Sequence, residues 1–197
     1  MTCRMMAPIG LALMMLSSSS IAGPFGLKMG TPLSSLVKNF SAKERATYVY
    51  QLNSVPQPHA RFATYMAIAT PAHGLCKLIA ISPPIKTSGH GSGLKSEFDA
   101  IDGVLLKKYG ERKRFDHLLQ GSLWKEPQYW MMGLFKKERT LSAFWSTDKA
   151  AFVDQISAVA LEAAAISAEA GTLTLSYEFE NFSDCSATIK NAENSSL

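Results

Sequence analysis

The segment from Thr172 to Glu180 alternates between polar and apolar side chains at every position. Its apolar members are Leu173, Leu175, Tyr177 and Phe179. Successive side chains of a strand point to opposite faces of a sheet, so this pattern predicts a strand with one buried face. Strands of that kind belong to antiparallel sheets in which one face is covered and the other meets water. The rest of the chain must therefore supply partner strands and a covering layer.

Two segments have the spacing of an amphipathic helix. At about 94–109, apolar residues recur at gaps of four, three, four and four, which places them on one face. Gly110 follows where a left-handed C-cap is favoured. A short helix is predicted at about 32–40, because Thr31 is a good N-cap and Pro32 suits the first turn. The apolar face of the longer helix consists of Leu94, Phe98, Ile101, Leu105 and Tyr109.

The remaining patterns predict strands. Candidates lie at 47–52, 62–69 and 75–82, and aromatic-rich runs at 129–135 and 139–145 indicate a hairpin. Residues 152–165 fit both an alanine-rich helix and an alternating strand. We favour the strand, at 158–165, as the partner of 172–180. The resulting fold class is α+β: a meander-like antiparallel sheet with the helix at 94–109 packed on it.

Residues 1–22 have the composition of a cleavable signal peptide. Arg4 precedes an apolar run of about a dozen residues, and small residues end at Ala22. We expect cleavage after Ala22 and a periplasmic or secreted location. The run is shorter than the roughly 20 residues that span a bilayer, so no transmembrane segment is expected after cleavage. We expect one soluble domain over 23–186 and a disordered polar tail over 187–197.

Cys76 and Cys185 are the two cysteines that follow the predicted signal peptide. An even pair in an exported chain indicates one disulfide. Two alternatives stay open: a pair of free thiols, and a metal site that uses the two-residue gap between His73 and Cys76. A second ligand pair with that spacing is missing from the sequence, so we predict no metal.

One glycine-rich segment is a candidate ligand loop. It lies between a predicted strand and a predicted helix, where backbone N–H groups can hold an anion. Its spacing matches neither the phosphate-binding nor the dinucleotide-binding pattern, and a flexible turn is the alternative. The loop consists of Gly89, His90, Gly91, Ser92 and Gly93.

Two further groups of residues are candidate surfaces. Aromatic residues around the predicted hairpin form either an exposed platform or part of the core. They are Trp124, Tyr129, Trp130 and Trp145. A run of cations forms either a basic patch or a solvated helix end. It consists of Lys107, Lys108, Arg112, Lys113 and Arg114. Because we expect the protein to be exported, nucleic acid is not an expected partner of this patch.

The sequence contains no nucleophile elbow and no zinc-protease helix, and we predict neither catalytic residues nor a cofactor. The leading hypothesis is an exported, non-enzymatic domain that binds another protein, such as an inhibitor, an immunity protein or an envelope accessory protein. Two alternatives are a small-ligand binder that uses the glycine-rich loop and the aromatic hairpin, and a hydrolase whose site assembles only in three dimensions.

Overall fold

A computed structural model describes residues 23–150 and 152–195 of the chain. These residues form nine strands and four α-helices, and the predicted α+β class is confirmed. The helices are α1 (Leu33–Phe40), α2 (Ser92–Tyr109), α3 (Trp130–Phe135) and α4 (Phe182–Asn194). The strands are β1 (Lys43–Ala46), β2 (Val49–Leu52), β3 (Thr64–Thr70), β4 (Gly74–Ile81), β5 (Ile85–Lys86), β6 (Lys113–Leu118), β7 (Arg139–Ser146), β8 (Ile156–Ala165) and β9 (Ala170–Phe179).

All the pairings between these strands are antiparallel. Two meanders, β1–β2–β3–β4 and β6–β7–β8–β9, meet where β9 pairs with β4. The short β5 extends the β4 side by pairing with the first residues of β9. β9 therefore lies near the middle of the sheet, and the predicted β8–β9 hairpin is confirmed over its full length.

One face of the sheet, called here the covered face, carries the apolar positions of β9. Its neighbours continue the pattern: Tyr177 lies between Leu78 and Val159, and Leu175 lies between Ala80 and Leu161. α2 packs on this face with the apolar side that its spacing predicts. The first turn of α2 comes close to the sheet at Gly171, where a Cβ would lie 2.6 Å from a methyl carbon of Leu94.

The N-terminal part of the chain completes the cover. Phe25 makes edge-to-face contacts with Phe62, Tyr65 and Tyr177, with ring centroids 5.0–6.0 Å apart. Leu36 of α1 is fully buried. α1 begins at Leu33, one residue after the expected start. Its N-cap is Pro32 rather than the predicted Thr31.

α4 lies at one corner of the opposite face, which we call the open face. Cys76 occupies a bulge of β4 between Leu75 and Lys77, and its sulfur bonds to Cys185 of α4. The Cα atoms of the two cysteines are 6.4 Å apart, within the usual range for a disulfide. The amino group of Lys77, on the open face, lies 5.2 Å from the ring centroid of Phe182. The predicted disulfide is confirmed, and it joins α4 to the sheet.

Two predictions are corrected by the structure. Residues 130–135 are α3 rather than part of the strand expected at 129–135, and the strand that pairs with β7 is instead β6, where no strand was predicted. The expected polar tail from residue 187 is α4 as far as Asn194, because Phe182, Cys185 and Ile189 recur at helical spacing and the disulfide ties the helix down.

The expected signal peptide, residues 1–22, lies outside the described residues. Among the residues that the structure describes, no helix is both long and apolar enough to cross a membrane.

Candidate functional site

Two arginines of the predicted basic patch, Arg112 and Arg114, belong to an ion-pair network. Asp102 of α2 is buried and accepts two hydrogen bonds from Arg112, each 2.5 Å long, and a third of 3.1 Å from Arg114. Arg114 also donates to Asp99 at 2.7 Å. Burial lowers the pKa of Arg114, but its hydrogen bond with Asp99 and the two carboxylate charges outweigh burial and raise the pKa above its usual value. The network ties β6 to α2.

Lys113 faces Asp148 at 3.9 Å, so three of the five predicted patch residues have acidic partners. Lys107 and Lys108 are exposed in the last turn of α2 and form no ion pair with a described residue. Asp102 was not among the predicted site residues. The signal that was missed is its spacing, since Asp102 lies four residues after Phe98 and three before Leu105, on the apolar face of α2.

The glycine-rich loop packs against Trp130. Gly91 has a positive φ of 72°, and a Cβ at this position would overlap the indole ring. The Gly89 carbonyl accepts a hydrogen bond of 2.9 Å from the Met131 N–H. The amino group of Lys95 lies 4.3 Å from the Trp130 ring centroid. Exposed His90 and Ser92 flank this contact, which packs the beginning of α2 against α3.

The predicted aromatic residues are divided between core and surface. Trp130 and Trp145 are buried, and Trp145 donates a hydrogen bond of 3.1 Å to the Gly110 carbonyl. Trp124 is half-buried beside Tyr129, which is 42% exposed. The other exposed aromatic pair is Phe115 and Phe144, with ring centroids 6.0 Å apart on the open face.

The described histidines and cysteines do not assemble into a metal-binding group. No group of three metal-ligating side chains occurs within residues 23–150 and 152–195. The side chain of His59 accepts a hydrogen bond at Nδ1 from the Arg61 N–H, and the Ser92 hydroxyl lies 3.4 Å from that of Ser88. The Cys76 sulfur is committed to the disulfide with Cys185.

The open face has a continuous uncharged row across five neighbouring strands. The register aligns its members side by side from β3 to β7. Strands are about 4.8 Å apart, so the row is about 19 Å long. We call it the central row; it consists of Met66, Ile79, Ser176, Ala160 and Phe144.

The side chains of the central row make a trough. The large Met66 and Ile79 lie at one end and Phe144 lies at the other, and the small Ser176 and Ala160 lie between Ile79 and Phe144. A depression of about 290 Å³ lies over the small residues toward the Phe144 end. The adjacent rows add Ile81 and Ala158, together with the charged residues described next.

Three charged side chains border the middle of the trough. Lys77 and Glu178 form an ion pair of 2.8 Å and neutralise each other. On the other side Glu162 is exposed, and it forms no ion pair with a described residue. The trough therefore combines an apolar floor with one free negative charge.

Comparisons of the chain with protein-family models, with curated proteins and with solved structures find no match. The functional argument therefore rests on the geometry of this chain.

The ion-pair network makes a testable stability prediction. Asp102→Asn should lower the free energy of unfolding by about 2–3 kcal/mol, because it leaves two arginines without their shared partner. The loss is smaller than for a fully buried pair because both arginines keep some contact with water. The matched control Asp99→Asn, at a more exposed position, should cost less than about 1 kcal/mol. Urea denaturation measures both values, and equal losses would contradict the central role of Asp102.

Proposed function

We propose that this protein is an exported, non-enzymatic domain that binds another protein through the open face. The observation that carries the proposal is the central row. The uncovered face of an antiparallel sheet is normally polar, whereas four of the five residues in this row are apolar. Phe144 is exposed and Met66, Ile79 and Ala160 are half-buried, whereas Ser176 is buried. Contiguous apolar surface of this kind marks interaction sites in proteins.

The shape of the trough indicates how a partner engages it. Ser176 and Ala160 leave room for large side chains beside Phe144. A row of about 19 Å matches three to four turns of a helix with a pitch of 5.4 Å. An amphipathic helix of the partner, with its apolar stripe in the trough, is the occupant that fits.

The charged residues beside the trough indicate which charge the partner helix should carry. The Lys77–Glu178 pair is internally satisfied and adds no net charge. Glu162 is left to pair with a cation, so the partner helix carries a lysine or arginine beside its apolar stripe.

Two observations support export. The first 22 residues have the charge and hydrophobicity pattern of a signal peptide. The confirmed disulfide is a bond that persists in oxidising compartments and is rare in the cytosol.

Site-specific photo-crosslinking tests the binding surface. A photoreactive residue at Ile79 should give one crosslinked protein in the producing cell, whereas the same residue at exposed Ser96 of α2 should not. Ala160→Arg should remove the Ile79 crosslink by filling the trough. The matched control Ala187→Arg, on an exposed turn of α4, should leave it intact.

Crosslinks of equal yield from positions 79 and 96, or a crosslink that survives Ala160→Arg, would contradict the proposal. A product made of two copies of this chain would show that the face is a self-association surface and would also contradict binding of a different protein.

Intact-mass spectrometry of the protein purified from its own cell tests export. The mass should correspond to a chain that starts at Gly23 and contains one disulfide. Alkylation without reductant should add nothing, and alkylation after reduction should modify two cysteines. A chain that retains residues 1–22, or one with both thiols free, would argue against an exported protein.

A further inference from the structure

We propose that a second, separate site on this protein binds a small carboxylic acid with an apolar ring. The site is a cavity of about 160 Å³ on the covered face, between α2 and the loop at residues 59–62. It lies on the opposite side of the sheet from the central row, so it is independent of the protein-binding surface.

The floor of the cavity is apolar. Leu175 of β9 forms its base, Ile101 and Leu105 of α2 form one wall, and Phe25 and Phe62 form the other. These residues belong to the hydrophobic core or pack directly against it, so the floor is held rigidly. An apolar group that enters the cavity gains contact with side chains that are already fixed in place.

The size of the cavity limits the ligand. An engineered cavity of about 150 Å³ in another protein, lined by aliphatic and aromatic residues, takes up benzene. A cavity of about 160 Å³ therefore admits one six-membered ring or a branched chain of similar volume. Val104 lies at the mouth and is 64% exposed, which leaves an apolar entrance.

Basic side chains surround the mouth. Lys108 lines the cavity and forms no ion pair with a described residue. Arg61 lines it as well, although it also pairs with Glu97 outside the cavity. Among the described residues that line the cavity, none is acidic. The mouth thus favours a ligand whose polar end is an anion.

His59 and Tyr177 line the cavity and add hydrogen-bond donors. The Nδ1 atom of His59 accepts a hydrogen bond from the Arg61 N–H, so the ring proton is on Nε2. Burial, followed by the neighbouring Tyr109 hydroxyl, raises the pKa of Tyr177 well above its usual value. Tyr177 therefore keeps its proton. A carboxylate accepts hydrogen bonds from such donors, whereas an ammonium group cannot.

NMR titration of the isotope-labelled, disulfide-bonded protein tests the site with three probes of equal size. Phenylacetate should shift the amide signals of residues 59–62 and of the last two turns of α2. Phenylacetamide should bind about two- to fivefold more weakly, because it lacks the charge that pairs with Lys108. Phenethylamine should produce no saturable shift. Equal affinity for phenylacetate and phenylacetamide would overturn the anion requirement, and the absence of any shift would overturn the site.

Two variants and a matched control locate the binding. Lys108→Met should weaken phenylacetate binding about two- to fivefold, the range for one exposed ion pair. The control Lys107→Met, on the neighbouring position of α2 outside the cavity lining, should leave the affinity unchanged. Ala100→Phe, at an exposed position on the cavity edge, should abolish binding by filling the space while the remaining amide spectrum stays native. Unchanged binding in Ala100→Phe would show that phenylacetate binds elsewhere.

Discussion

Burial of the apolar side of β9 is the interaction on which the rest of the structure depends. Leu173, Leu175, Tyr177 and Phe179 lie on the covered face, and each is at least nine-tenths buried. Burying a side chain of this size contributes about 1.5–3 kcal/mol relative to exposure. The strand lies between β4 and β8, so its side chains align with the apolar rows of both meanders. α2 and the N-terminal turn then cover a surface that three neighbouring strands build together.

The same arrangement explains why most of the open face has no described element packed on it. α1, α2, α3 and the turn around Phe25 contribute buried residues to the core that includes the covered face, and α4 is held at one corner of the open face by the disulfide. The central row lies beyond that corner and still carries Met66, Ile79 and Phe144. An apolar row without a described covering element is the physical basis for the proposal that a partner binds the open face.

Elements with strong periodicity were predictable from the sequence, and elements held by charge or by the disulfide were not. β8, β9 and α2 follow their apolar spacing closely. β6 has no apolar alternation, because its inward Arg114 and Asp116 are satisfied by Asp102, Asp99 and Arg139 rather than by burial in an apolar core. The run at 130–135 has the aromatic composition of a strand, yet six residues are too few to distinguish a buried helix from a strand by periodicity.

The candidate sites also divide into features that were predictable from the sequence and features that depend on the fold. The cysteine pairing followed from the count of cysteines, whereas the central row depends on the register of five strands, which no local pattern encodes. The cavity beside α2 needs residues from the N-terminal turn, the loop at 59–62, α2 and β9, which are far apart in the chain. Lys108 was noticed in the sequence only as part of a cationic run, and its place at the mouth of the cavity emerges from the fold.

The central claim is that one side of the sheet is covered and the other is open, and solvent exposure of isoleucine methyl groups tests it most directly. A soluble paramagnetic agent, added to dilute methyl-labelled protein, should broaden the methyl signals of Ile79 and Ile81 on the open face. The methyl signal of Ile156, which pairs with Phe179 on the covered face and is 3% exposed, should stay sharp at the same concentration. If Ile79 in the monomer were as well protected as Ile156, the open face would already be covered, which would contradict the account.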